Sequence, residues 1–282
     1  MQHLYAFIYF LILMLSIGCT PLEILNGSVS NDGYKSNLDQ LYASKPRHKL
    51  DIHTPNQVKN NTDVVIFFYG GRWQSGNKKD YTFVADAFTS NGVITVIPDY
   101  RLYPIVDWRD IIKDAAKAYQ WVYENIQRYN GNPERIFIMG HSAGAHIAAM
   151  VAVDDSLLNT RTKRPCGFIG LAGPYDFLPI RDADVKQVFS TADDITDTQP
   201  INYINEAEPP MLLLHGLDDT SVKPGNSVRM GKRMKKVDGL AEIKLYKDID
   251  HIDLLISLSS TFRHVSPALK DSVTFINNTS CH

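Results

Sequence analysis

The chain of 282 residues is 44% hydrophobic, a length and composition that allow one large domain with a sizeable core, or at most two small ones. A formal net charge of −2 and an isoelectric point near 6.5 create no field that would gather phosphate backbones or anionic lipid, which argues against a nucleic-acid partner. The short basic cluster Lys45-Pro46-Arg47-His48-Lys49 is too brief to change that and reads as a solvated loop.

Leu4 to Ile17 form an apolar run, shorter than the ~20 residues that cross a bilayer as a helix and suited to a signal peptide over residues 1–18. Ser16-Ile17-Gly18-Cys19 resembles the lipobox of bacterial lipoproteins, which implies that Cys19 is lipidated after cleavage. No Lys or Arg precedes Lys35, and Ser16 stands where a lipobox usually has leucine, so an ordinary cleaved signal and an uncleaved anchor stay open as alternatives. Each of the three takes the chain out of the cytosol, and contact with a membrane is expected only through this N-terminus.

Residues 19–45 follow, rich in Asn, Ser, Gly and Asp from Pro21 to Ser44 without a sustained period, and read as a tether or lead-in. The folded domain is expected over 46–282. There, short apolar runs alternate with helical patterns: VVIFFY (Val64 to Tyr69), VITVIP (Val93 to Pro98), RIFIMG (Arg135 to Gly140), GFIGLAG (Gly167 to Gly173), MLLLHG (Met211 to Gly216) and AEIKLY (Ala241 to Tyr246). Continuous apolar runs suit strands covered on both faces, as in a parallel sheet. Helical patterns at 81–90, 108–129, 142–153 and 226–237 lie between them, so the fold class is α/β with helices on both faces. The polar stretch from Asp176 to Glu208 lacks a strand signal and reads equally as a cap or as an irregular surface connection.

RIFIMGHSAG (Arg135 to Gly144) ends its apolar run on Gly-x-Ser-x-Gly and passes directly into a helical pattern. A strand that turns so abruptly needs small residues around the serine, and the turn lifts the Ser142 hydroxyl above the strand end at a helix N-terminus. A serine hydroxyl is a poor nucleophile until a base takes its proton, so an imidazole and an orienting carboxylate should accompany it. Asp218 and Asp219 follow the run that ends at Gly216, and His251 follows the run that ends at Tyr246. Ends of parallel strands are where such sheets place chemistry. The remaining histidines are less well placed. His141 and His146, which flank the serine, read as packing or pocket-wall residues, and His215 as a strand end. Residue chemistry alone leaves Asp218 and Asp219 open.

An attacked carbonyl becomes an oxyanion, and fixed backbone N–H groups stabilise it. Ala143, just after the serine, is one candidate donor. The run VVIFFY ends in Tyr69-Gly70-Gly71-Arg72-Trp73, whose paired glycines let backbone approach an acyl group. Cys166 and Cys281 are the cysteines beyond Cys19; they read as two thiols, with a bridge as the alternative. Neither a CxxC nor an HExxH spacing occurs, so no metal or other cofactor is expected.

Taken together, GHSAG, the Asp219 loop, His251 and the glycine pair resemble the α/β-hydrolase superfamily over residues 46 to 278. The likeness is nearest to carboxylesterases of the hormone-sensitive-lipase and bacterial feruloyl-esterase-like groups, with kynurenine formamidase features. PDYRLYP (Pro98 to Pro104) and GPYDF (Gly173 to Phe177) are similar to segments of the same esterases. The family pattern HGxxDxxV, matched by His215, Gly216, Asp219 and Val222, implies Asp219 as the acid. The resemblance also implies Gly71 and Arg72 as the other backbone donors. Tyr69 departs from it, standing where the family has the histidine of HGG, which bears on loop packing and substrate preference. The expected activity is that of a serine carboxylesterase using Ser142, His251 and Asp219 on a small-molecule ester. An arylformamidase, a polysaccharide acyl esterase and a non-catalytic binding protein on the same scaffold stay open beside it.

Overall fold

The computed structural model describes residues 25–27, 29, 31–206 and 208–281. The apolar leader and Cys19 lie outside the described residues. The six apolar runs all form strands: β3 (Thr62–Phe68), β4 (Ile94–Pro98), β5 (Gly131–His141), β6 (Gly167–Leu171), β7 (Met211–Gly216) and β8 (Ala241–Tyr246). These pair in parallel, and two further strands, β1 (Tyr34–Leu41) and β2 (Lys49–Pro55), extend the sheet antiparallel on the β4 side. The eight-stranded order is β1-β2-β4-β3-β5-β6-β7-β8. Helices cover it: α1 (Thr82–Thr89), α2 (Trp108–Asn125), α3 (Ala143–Val153), α4 (Ala183–Val188), α5 (Gly225–Lys235), α6 (His251–Ile256) and α7 (Ala268–Asn278). This is the α/β-hydrolase architecture.

β3 and β4 are buried along almost their whole length, as continuous apolar runs require. Every residue of α3 is buried, so a helix without a polar face sits between the sheet and α2. α1 and α7 contact each other and the sheet elsewhere, while α5 packs on β7 and β8.

Two expectations are corrected at the polypeptide ends. Part of the stretch read as lead-in, Tyr34–Leu41, is the edge strand β1; only Tyr34 along it is buried, so it carries no apolar period to read. β2 hides its signal differently. Asp51, His53 and Thr54 are buried in it, Asp51 against the Lys78 ammonium at 2.6 Å and His53 against Ser36 Oγ at 2.8 Å. The second correction concerns Cys166 and Cys281, which are joined in a disulfide with Cα atoms 4.9 Å apart, bridging 115 residues. The bond fastens the end of the chain beyond α7 to the start of β6. Their proximity is a product of the fold, which linear spacing does not display.

Candidate active site

Ser142 stands between β5 and α3 with φ 55° and ψ −126°, a conformation that non-glycine residues seldom adopt and that costs on the order of 1–3 kcal/mol. Its amide is used up in a 2.9 Å bond to the Leu171 carbonyl. The flanking glycines are required by contact: a Cβ on Gly140 would strike the Gly144 backbone, and one on Gly144 would strike the Phe68 and Tyr69 carbonyls. Strand β5 therefore turns into α3 with no space to spare, and the serine is carried on the tightest point.

The loop after β7 buries Asp219, while Asp218 is exposed and serves the loop through its amide, which donates to the Ile249 carbonyl. Asp219 Oδ1 accepts from the Ser221 and Val222 amides at 2.9 and 2.8 Å, and Oδ2 accepts from His251 Nδ1 at 2.7 Å. His215 Nε2 lies 3.2 Å from Oδ2. Burial pushes this carboxyl up, but the hydrogen bonds from His215, His251 and Val222 outweigh it and hold the group well below the usual carboxylate range. His251 opens α6, whose N-terminus is fixed by a capping box between Asp250 and Asp253. The Asp and His loops lie in contact, since a Cβ on Gly216 would strike the Ile249 carbonyl.

The turn after β3 reaches the serine from the other side. A Cβ on Gly70 would sit 3.1 Å from Ser142 Cβ and 3.2 Å from the His141 carbonyl. Gly71, Arg72 and Trp73 follow with φ of 116°, 56° and 61°, and the Gly71 carbonyl accepts from the Gln74 and Ser75 amides at 3.0 Å each. The amides of Gly71, Arg72 and Ala143 have no acceptor among the described residues. Ala143 is the first helical residue, whose N–H has no partner within its own helix.

Tyr69 supports this turn. Its ring stacks between Tyr81 and Tyr100, with centroids 5.2 and 4.7 Å away, and its hydroxyl donates to Asp99 Oδ1 at 2.6 Å. Arg47 donates to the Tyr69 hydroxyl at 2.8 Å and to the Gly76 carbonyl at 2.8 Å. The basic cluster is thus no solvated loop: Arg47 braces the turn, and His48 is buried 2.9 Å from Asp114. Charge-run reasoning missed both because it counts charges without their partners.

Trp73 is buried. Its Nε1 donates to His146 Nδ1 at 3.3 Å, and Phe189 and Phe177 lie against its ring. His146 Nε2 donates to the Thr198 carbonyl at 2.8 Å. The Arg72 side chain is exposed and reaches Asp182 at 2.6 Å. The stretch from Asp176 to Glu208 therefore docks on the turn and on α3 through both contacts, holding α4 and short 3₁₀ turns. His141 and His146 are buried and neutral: burial, with His251 adding to it for the first, pushes His141 down to about 3, and burial pushes His146 down to about 4. Among the described residues no group of three or more His, Cys, Asp or Glu is placed to hold a metal ion, and no helix is long and apolar enough to cross a membrane.

The BD-FAE family profile matches residues 50–234. An isoprenylcysteine alpha-carbonyl methylesterase of Arabidopsis thaliana is 27% identical over 241 residues, covering 77% of this chain and 56% of the relative. A kynurenine formamidase of Danio rerio is 27% identical over 158 residues, covering 56% and 53%. The chain spans about half the length of the curated relatives it matches. A truncated carbohydrate esterase from gut microbiota superposes with a TM-score of 0.77 at 22% identity, over 88% of this chain and 97% of the other, a likeness of fold.

Proposed function

Because the chain belongs to the BD-FAE family of the α/β-hydrolase superfamily, we propose that it is a serine carboxylesterase acting on small to medium esters. One observation supports the reading: the strained Ser142 stands beside Gly70 of the β3 turn, and its chain neighbour His141 is bonded to the backbone of His251, whose imidazole is bonded to a buried, ionised Asp219. With Nδ1–H committed to Asp219, His251 keeps Nε2 free to take a proton. Ser142 Oγ attacks the ester carbonyl as His251 accepts its proton, and the carboxylate of Asp219 stabilises the imidazolium that forms. The amides of Gly71, Arg72 and Ala143 receive the oxyanion, each donor worth roughly 2.7–4 kcal/mol. Collapse expels the alcohol, which takes the proton from His251, and water then releases the acid from the acyl-enzyme by the same steps.

The test is hydrolysis of p-nitrophenyl esters from acetate to decanoate by the purified protein and by Ser142→Ala, with fluorophosphonate labelling located by mass spectrometry. Turnover lost in the variant and a label on Ser142 are expected. A protein that neither turns over nor labels would overturn the reading and leave a binding scaffold. The formamidase relative favours a second reading, an aryl formamide as substrate. An N-formyl aryl amide assayed beside the esters separates the two by kcat/KM.

The disulfide supports export, since such bonds persist in oxidising compartments. We extend the proposal to an exported protein anchored through lipidated Cys19. A diacylglyceryl mass on the N-terminal peptide of membrane-extracted protein is expected, and an unmodified chain in the soluble fraction would refute the anchor.

A further inference from the structure

Resting on the esterase reading, we propose that His141 is a positioning residue for the reaction, holding the backbone of His251 while Asp219 holds its ring. His141 ends β5 immediately before the serine. Its Nε2–H donates to the His251 carbonyl at 3.0 Å, and the two rings lie 4.6 Å apart between centroids. The side chain also faces the turn after β3, with Nδ1 3.4 Å from where a Cβ on Gly70 would be. One imidazole thus touches all three parts of the site: the serine through the chain, the glycine turn by contact and the histidine loop by a hydrogen bond.

The geometry makes this more than packing. His251 comes from a loop 110 residues further along the chain, and α6, which it opens, is six residues long. That helix meets the sheet at β7 and buries Leu254 and Leu255, but His251 itself stands at its first position, where the chain enters from the loop. Asp219 Oδ2 fixes the direction of the His251 ring, and the capping box and the Asp218–Ile249 bond hold the loop on the side of the chain before it. The bond from His141 to the His251 carbonyl is then the restraint at that residue's own backbone that sets its distance to Ser142. A neutral imidazole suits that task. Buried, and kept from charging by its surroundings and by His251 beside it, His141 presents one N–H and one bare nitrogen at all working pH values. An apolar residue of the same shape would fill the space without the donor.

The experiment uses the full chain with three replacements, His141→Gln, His141→Phe and His141→Ala, each measured for kcat, KM, rate of fluorophosphonate labelling and thermal midpoint. Gln places an N–H where imidazole Nε2 stood; Phe keeps volume and removes the donor. Expected are a kcat lowered by up to about 100-fold in Phe and Ala, the scale of a misplacement of about 1 Å, a KM changed little, labelling slowed in parallel, and Gln within a few-fold of the native protein. If Phe matches the native kcat, the donor is irrelevant and the inference falls. It also falls if Gln loses as much kcat as Phe, or if the kcat losses merely follow losses in thermal midpoint. Absence of hydrolysis and labelling in the native protein would instead remove the esterase reading itself, so the two failures are told apart.

Discussion

The two ends of the parallel strands spend backbone strain differently. Where β3 and β5 begin, the left-handed positions are Asn61 and Asn130, and Asp238 precedes β8; Asn and Asp enter that region at little cost. Where β3, β5 and β6 end, the left-handed non-glycine residues are Arg72, Trp73, Ser142 and Ala172, side chains for which the conformation is unfavourable, while the turn after β8 uses Asp248. The entry end is also tied down: the Cys166–Cys281 disulfide and Arg135, which pairs with Asp63 and donates to the Ile276 and Thr279 carbonyls, hold the last helix against the sheet. Strain at one end is stable because the surrounding structure over-determines it. On the proposed function, chemistry belongs to the exit end and stability to the entry end, and each half of that division can be broken separately.

The largest effect belongs to the exit end. Ser142→Ala is expected to lower kcat by about 10⁶-fold, and Asp219→Asn by about 10⁴-fold, because the amide cannot stabilise the imidazolium and favours the wrong tautomer. Thermal midpoints should move much less than these rates, since relief of the strained φ at Ser142 needs glycine rather than alanine. A Ser142→Ala protein with native turnover would transfer the chemistry elsewhere.

Replacing both Cys166 and Cys281 by serine tests the entry end. In a loop-entropy account, releasing a closed loop of 115 residues costs about 5 kcal/mol. Arg135 keeps part of the restraint through the Ile276 and Thr279 carbonyls, so about 2–4 kcal/mol is expected from denaturant titration, with kcat unchanged. A double variant that loses kcat at unchanged stability would dissolve the division between the ends.

The exit end was also the more legible in sequence. Six strands could be read because each is a continuous apolar run, and GxSxG announced Ser142 because a tight strand-to-helix turn admits few residues. Order along the chain found His251, and a family pattern, not residue chemistry, separated Asp219 from Asp218. In the structure the first is buried among donors and the second is exposed. What could not be read depends on partners far away in sequence. Buried Asp51 and His53 make β2 look like a polar loop, Arg47 looks solvated until Tyr69 and Asp99 are beside it, and Cys166 meets Cys281 only once α7 is docked. His141 and His146 carry no periodic or motif signal for the bonds they make.

The effect confined to acid conditions distinguishes the ends by pH. His146 accepts from Trp73 Nε1 through a bare Nδ1 while its Nε2–H donates to the Thr198 carbonyl, so a proton added at Nδ1 would face another donor. Its folded pKa, pushed down to about 4, lies below the ordinary value near 6.5, and the unfolded chain therefore binds the proton first as pH falls. Stability attributable to this residue is complete above about pH 6.5 and declines by up to about 1.4 kcal/mol per unit down to about pH 4. His141 adds a decline of the same sign that extends to about pH 3. His146→Gln, which cannot titrate, should flatten the fall of the thermal midpoint between pH 6.5 and 4, whereas the double cysteine variant should lower the midpoint by a similar amount at every pH in that range. Parallel curves for His146→Gln and the native protein would show that the link from Trp73 through His146 to Thr198 is not what acid breaks.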